Sequence, residues 1–367
     1  GVGKEYEYIE TYEGRLAQVD GRRVATGRDF DSETGALSAD ARRVPPLVLA
    51  AEEAQALVAR LTAGKAHVAN VVSKPFTERP APPFITSTLQ QEANRKLRWA
   101  ARRTMNAAQR LYEEGWITYM RTDSTQLAAS AVDTLRAEIA IRFGPDAVPT
   151  EARRYESKSR AAQEAHEAIR PAGDVLRPPD VCRKQVGGDE AALYELIWNR
   201  GLACQMKDAR GTRMVVTTAV TDAQGLEAHF KSTGRAYTDL GFRAAYVEDR
   251  DDRSAESEAD RRALPALTQG EGVQTEALTA DGHETMPPPR LTDATLVKEL
   301  ETRGIGRPST YATIIETIEQ RGYVRKRGTT LVPTWTAFAV TALLEQHFGS
   351  LVDYDFTARL EDGLDAI

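Results

Sequence analysis

Apolar and polar positions alternate with period two through YEYIETYEGRLAQVDGRRVATGRDF (6–30), interrupted at Glu13-Gly14 and Asp20-Gly21. That alternation predicts strands, and Asp-Gly between two such runs predicts a hairpin turn. AAEEAQALVARLTAG (50–64) predicts a helix closed by Gly64, and HVANVVSKPF (67–76) a further strand. PAPPF (80–84) breaks the pattern. From there to about 205 the spacing is helical, in ITSTLQQEANRK, LRWAARRTMNAAQRLYEEG, SAVDTLRAEIAIRFG, QEAHEAIRP and DEAALYELIWNRGLACQM. Strands return in TRMVVTTAV and GLEAHFKSTGRA (212–236), and the last hundred residues read as mostly helical.

The fold class predicted is mixed α and β in several domains. The β-rich stretches 1–80 and 206–278 are expected to form one discontinuous domain. The helical block 81–205 would be inserted into it, and 279–367 would form a third part. Residues 248–265 hold four basic and seven acidic residues and read as an exposed, mobile loop. No internal repeat is visible.

At 367 residues, two to four domains are expected. The chain is 41% hydrophobic and 28% charged, as in globular proteins, and holds no run of about 18 apolar residues that would span a membrane. Its first ten residues, GVGKEYEYIE, lack the pattern of a secretory signal and run directly into alternation, so the chain is expected to begin inside a larger protein. The two cysteines, Cys182 and Cys204, have no metal or disulfide spacing and fit buried thiols in a reducing cytoplasm. A net charge of −6 argues against indiscriminate nucleic-acid binding and moves attention to local charge.

One local concentration is RKLRWAARRTMNAAQRLY (95–112). On a single helical wheel, Leu97, Ala101, Thr104, Ala108, Leu111 and Tyr112 share an apolar arc. Arg95, Arg98 and Arg102 form one basic stripe, with Lys96, Arg103 and Arg110 beside it. Either a solvated amphipathic helix or a phosphate-tracking face satisfies this pattern.

This helix runs into GWITYMRTDS (115–124). If ITYMR is extended, Ile117, Tyr119 and Arg121 point to one face and Thr118 and Met120 to the other. A phenol with a reference pKa of about 10 is a poor nucleophile at neutral pH. An adjacent guanidinium favours the phenolate and holds phosphate oxygens, a combination suited to attack on a phosphodiester. Asp123 can orient Arg121. A buried structural tyrosine is the competing reading. In QEAHEAIRP (163–171), His166 and Arg170 at i and i+4 would share a helix face, as a phosphate clamp, a proton relay or plain structure.

LTDATLVKELETRGIGRPSTYATIIETIEQRGYVRKRGTTLVPT (291–334) reads as helix, tight turn, helix and basic hairpin, a winged-helix pattern. Thr292 would cap the first helix and Ser309 or Thr310 the second. Arg307 at that second N-terminus would make an anion site. Residues 290–327 carry eight basic and five acidic side chains, locally positive in an acidic chain.

Taken together, PPFITSTLQQEANRK, AQRLYEEGWITYMRTDST, QEAHEAIRP, LYELIWNRGLACQM and PPPRLTDATLVKELETRGIGRPSTYATIIETIEQRGYV resemble the bacterial DNA topoisomerase I family, type IA, in the family's order from about residue 82 onward. The β-rich segment resembles the arch of its toroid more loosely. The resemblance implies that Tyr119 cleaves one DNA strand through a 5′-phosphotyrosine, lets another strand pass and religates, relaxing negatively supercoiled DNA without ATP. It implies Arg121 and His166 as catalytic partners, with Glu113 and Asp123 in support. By the same resemblance Arg290, Arg307, Ser309 and Thr310 would bind single-stranded DNA; Arg170, Arg103 and Arg110 are expected to add DNA contacts on the strength of the basic faces read above. A monomer in the bacterial cytoplasm, associated with the nucleoid and with no membrane partner, is also implied. The family's Mg²⁺ is held by an acidic Toprim domain with no counterpart in this sequence. Asp29-Phe-Asp31 and Asp249-Arg-Asp251 read as turn and loop instead, so no metal ligand is assigned here. Cleavage by this chain alone is therefore not expected. A non-catalytic single-strand-binding scaffold and a topoisomerase III-like decatenase are the alternatives. Other tyrosine transesterases would want a paired His motif or a C-terminal tyrosine after an Arg/His series, and neither is present.

Overall fold

The computed structural model describes residues 11–155, 167–248 and 263–365. Within it the chain divides into two compact units. One comprises Gly1–Thr77, Arg210–Asp239 and Asp252–Pro289; the other comprises Glu78–Ala209, Leu240–Asp251 and Arg290–Ile367.

The first unit is built on an antiparallel sheet. Strand β1 (Arg15–Val19) turns through Asp20 and Gly21, both at positive φ (43° and 79°), into β2 (Arg22–Arg23), as the Asp-Gly pair predicts. Two short helices follow, α1 (Ala39–Arg43) and α2 (Ala51–Leu61), the latter begun by a Glu53 carboxylate that accepts the Ala50 amide at 2.9 Å. Strand β3 (Lys65–Glu78), the long pair β4 (Ala209–Thr221) and β5 (Glu227–Asp239), and β6 (Gly272–Val273) complete a sheet ordered β2-β1-β5-β4-β3-β6. Val19, Leu61, Val220 and Ala228 form its buried centre. Gly211 is required where it stands: a Cβ there would lie 2.3 Å from the Ala236 carbonyl and 2.8 Å from the Phe76 ring, which meets Tyr237 edge-on.

Helices dominate the second unit: α3 (Thr86–Leu97), α4 (Ala101–Glu113), α5 (Ala129–Phe143), α6 (Pro179–Gln185) and α7 (Gly188–Ala203). Its later segment supplies α8 (Asp293–Thr302), α9 (Tyr311–Gln320), the hairpin β7 (Val324–Arg327) and β8 (Thr330–Pro333), α10 (Trp335–Phe348) and α11 (Tyr354–Asp365). The predicted helix, turn, helix and hairpin of 291–334 is therefore present. Helix α7 is the core element. Its Tyr194 lies between Trp116 and Trp198 with ring centroids 5.3 and 6.0 Å away.

Arg200 on the same helix is 3% exposed and held by polar and aromatic partners. Its Nε donates to the Pro82 carbonyl at 2.6 Å, its NH1 meets Glu248 at 2.8 Å, and its plane lies over Phe84 and Tyr246. Buried guanidinium is tolerated when its donors are satisfied in this way.

Three local expectations are corrected. Residues 95–112 are two helices, because Arg98 adopts a left-handed conformation (φ 59°) and ends α3. The break lets Trp99 bury its indole, with its carbonyl taken by the Asn94 amide at 2.8 Å. The basic stripe is thus not one face, since Arg95 and Lys96 belong to a different helix from Arg102, Arg103 and Arg110. Residues 167–170 are not helical. Ile169 forms a bridge to Phe84, with its amide donating to the Phe84 carbonyl at 2.8 Å, so the run is extended. His166 and the residues before it, together with the acidic loop from 249 to 262, lie outside the described residues.

Candidate active site

Helix α4 ends in a turn that aims the chain past Tyr112. Gly115, at φ 69°, donates its amide to the Tyr112 carbonyl at 2.9 Å, and the Trp116 amide reaches the Leu111 carbonyl at 2.7 Å. This is a glycine-terminated helix end of the usual kind. Trp116 and Ile117 are then buried, and Arg177 lies 3.6 Å over the Trp116 ring.

From Ile117 onward the backbone is anchored on both sides of Tyr119. Before it, Ile117 bridges Pro171, the Thr118 amide donates to the Arg170 carbonyl at 3.0 Å, and the Thr118 hydroxyl donates to the Ala168 carbonyl at 2.6 Å. Gly201 of α7 permits this close passage, since a Cβ there would meet Pro171 at 3.2 Å. After it, the Thr86 hydroxyl at the start of α3 donates to the Met120 carbonyl at 2.7 Å and accepts the Thr122 amide at 2.9 Å.

Ile117 and Met120 are buried, whereas Tyr119 is 39% exposed and Arg121 is exposed. Strict strand alternation therefore fails here: Ile117 does not share the face of Tyr119. The segment is an irregular crossing whose ends are tied down and whose middle residue faces outward. Arg121 makes no ion pair among the described residues and is exposed two residues from Tyr119.

A family model for DNA topoisomerase matches residues 30–367. The chain belongs to the DNA topoisomerase family. It is 53% identical over 357 residues to DNA topoisomerase 1 of Mycolicibacterium smegmatis and 52% identical over 353 residues to that of Streptomyces coelicolor, matches that cover 97% and 96% of this chain. It spans 38% and 36% of the length of those two relatives. Among solved structures, full-length topoisomerase I from Thermotoga maritima matches with a TM-score of 0.73 at 33% identity, over 88% of this chain and 51% of that one.

Within this topoisomerase-family chain, the remaining predicted site residues fall into distinct settings. Glu113 accepts the Gln109 amide at 2.6 Å on the last turn of α4. Asp123 is partly buried two residues beyond Arg121. Arg170 is 12% exposed, with two nitrogens on the Glu167 carboxylate at 2.7 and 2.9 Å and a third on the Pro171 carbonyl. Arg103 pairs with Asp189 at 2.8 Å and Arg110 with Glu190 at 2.7 Å, so both tie α4 to the first turn of α7. These two carboxylates sit at a helix N-terminus, where negative charge is favoured. Arg102 pairs with Glu316 of α9, and Lys326 of the wing meets Asp293 at 3.0 Å and Glu319 at 2.7 Å.

The α8–α9 turn also has its own partners. The Thr310 hydroxyl accepts the Arg307 amide at 2.7 Å. Arg307 donates to the Gly304 and Gly306 carbonyls, and it pairs with Asp362 at 3.2 Å and Asp365 at 2.7 Å on α11. Ser309 and Arg290 are exposed and make no side-chain hydrogen bond or ion pair among the described residues.

Among the described residues no three His, Cys, Asp or Glu side chains are grouped to hold a metal ion. Asp29 is committed to Arg23 at 2.6 and 2.8 Å and to the Thr26 amide, and Asp31 to the Glu33 and Thr34 amides. These carboxylates do not fit the Mg²⁺ site that the resemblance implies. Asp249 and Asp251 lie outside the described residues.

No helix among the described residues is long and apolar enough to cross a membrane. Sequence reasoning missed Thr86 and Thr118 as anchors. The hydroxyl cluster Thr86-Ser87-Thr88 after PPFI was a visible signal, but it reads as an ordinary helix start.

Proposed function

We propose that this chain carries the nucleophile half of a DNA topoisomerase active site and acts on a single-stranded stretch of DNA. Tyr119 Oη attacks a phosphodiester phosphorus. The new Oη–P bond forms as the P–O3′ bond breaks, the phenol loses its proton, and the departing oxygen gains one to become a 3′-hydroxyl. The phosphorus stays joined to the 5′ oxygen of the downstream nucleotide. Religation is the same exchange reversed, and the ester bond is conserved throughout, so no nucleotide hydrolysis is needed. Arg121, exposed two residues further on, is assigned to hold the non-bridging oxygens and favour the phenolate.

The observation that carries this reading is the outward-facing Tyr119 fixed between the Thr118 and Thr86 anchors, in a chain of this family. The β-sheet unit is assigned to the arch. The α8–α9 pair with its wing is assigned to the single-strand surface, with Arg290 and Ser309 exposed for contact. Any Mg²⁺ requirement is assigned to the carboxylates of a Toprim domain, none of them from this chain, with His166 as a candidate partner of Tyr119. Relaxation of negatively supercoiled DNA by a monomer in the bacterial cytoplasm completes the reading. Burial raises the thiol pKa of Cys182 to about 11 and of Cys204 to about 12, which suits inert thiols in a reducing compartment.

The test expresses the chain within its complete open reading frame and mixes it with single-stranded oligonucleotide and Mg²⁺ before denaturation. Label at the 3′ end should migrate with the protein and label at the 5′ end should not. Tyr119→Phe should abolish the adduct. An adduct that persists in that variant, or that carries the 5′ label, refutes the assignment.

A further inference from the structure

The backbone anchors fix where Tyr119 leaves the chain, but they leave its side-chain torsions undetermined. An exposed tyrosine ordinarily distributes over several χ1 wells. Here a second ring stands against it. Tyr112, on the last turn of α4, meets Tyr119 with ring centroids 5.2 Å apart and planes inclined at 68°. That is the edge-to-face arrangement favoured by aromatic quadrupoles.

Tyr112 is itself well held. Its carbonyl accepts the Gly115 amide at 2.9 Å, and its neighbour Leu111 is fully buried. Yet Tyr112 is 41% exposed, so burial alone does not account for its contact with Tyr119. A large aromatic left half in solvent, touching another aromatic left half in solvent, gains little by burial. Its contact instead restricts the partner's orientation.

We infer that Tyr112 is a positioning residue for Tyr119: its ring excludes competing rotamers of the phenol and holds Oη in the orientation from which it attacks phosphorus. This rests on the reading of Tyr119 as nucleophile. Loss of an edge-to-face contact of ordinary strength should lower the population of the oriented rotamer, and with it the cleavage rate, roughly three- to tenfold.

The experiment compares Tyr112→Phe, Tyr112→Leu and Tyr112→Ala in the complete open reading frame, by single-turnover cleavage of a 3′-labelled single-stranded oligonucleotide at saturating enzyme. Binding of the same oligonucleotide and the thermal midpoint are measured in parallel. Ring-proton resonances of Tyr119 report the orientation directly through the ring current of residue 112. Expected are a three- to tenfold slower cleavage step in Tyr112→Ala with oligonucleotide affinity unchanged, rescue by Tyr112→Phe, and Tyr119 ring signals shifted towards free-tyrosine positions in Tyr112→Ala and Tyr112→Leu. Wild-type cleavage in Tyr112→Ala, equal losses in Tyr112→Phe and Tyr112→Ala, or unmoved ring signals each overturn the inference. If Tyr119→Phe still forms the adduct, the nucleophile assignment fails instead, and that outcome is distinguishable from the others.

Discussion

The Thr86 hydroxyl spans to the Met120 carbonyl at 2.7 Å, joining the first residue of α3 to the residue after Tyr119 across 34 positions of sequence. Both groups are buried, so the bond has no ready substitute in water. Thr86→Val keeps the shape and removes the hydroxyl, leaving the Met120 carbonyl and the Thr122 amide short of a partner. The expected cost is about 1–3 kcal/mol in urea unfolding. The cleavage step should slow as well, because the anchor nearest Arg121 is lost. A variant as stable as the parent would show that the segment is held elsewhere.

Arg200 tests the core in the same way. Its three groups of partners, the Pro82 carbonyl, Glu248 and the Phe84 and Tyr246 rings, demand a planar fork. Arg200→Ala should destabilise by about 2–4 kcal/mol through lost hydrogen bonds and an unfilled site. Arg200→Lys should recover little of that, since a single ammonium cannot reach the carbonyl and the carboxylate while covering the rings. Full recovery in the lysine variant would reduce the interaction to simple charge.

Arg307 is predicted to act first as a staple. With donors on two carbonyls and two carboxylates, it closes the α8–α9 turn onto α11. Arg307→Ala should therefore lower stability by about 1–2 kcal/mol, the modest figure reflecting partial exposure. Hydrogen exchange should rise at Gly306, whose amide reaches Glu361 at 3.2 Å. A variant that binds single-stranded DNA more weakly with unchanged exchange would favour direct phosphate contact over the staple.

A pH dependence follows from Asp29. The Arg23 guanidinium, and then the Thr26 amide, hold its carboxyl well below the usual carboxylate range. Because the folded pKa lies below the unfolded value of about 3.9, the stabilisation is fully present above that unfolded value and is lost as pH falls through the folded one. Asp29→Asn should lower the melting temperature at pH 7 and flatten its acid dependence below about pH 4. An acid limb identical to the parent's would assign the effect to other carboxylates.

Much of this was legible in the sequence, for identifiable reasons. Asp20-Gly21 announced its hairpin because few residues accept two successive positive φ values. Thr292 announced α8 because its hydroxyl accepts the Thr295 amide, a purely local bond. The motif around Tyr119 singled it out, and the structure leaves it partly exposed. What failed depended on distant partners. Nothing near Arg98 forbids helix; the burial of Trp99 decides the break. Ala168 and Ile169 have helix-compatible neighbours, yet bridging to Phe84 and the amide contact to Gln126 draws them extended. The arginines of α4 read as a nucleic-acid face because Asp189, Glu190 and Glu316, which occupy them, lie 80 to 214 residues away.

The double tether around Tyr119 also bears on how a broken strand would be kept. A strand end esterified to a tyrosine on a loose loop would sample a wide volume, and its 3′ partner would have to find it by diffusion. Here the chain has no slack on either side, being held at Thr118 and at Met120. On the proposed reading, a captured end would then stay at one address on the protein surface. Its effective concentration at the rejoining site would be set by rigid geometry rather than by linker statistics. Fidelity of rejoining, and not only speed of breaking, is what two threonine hydroxyls would secure.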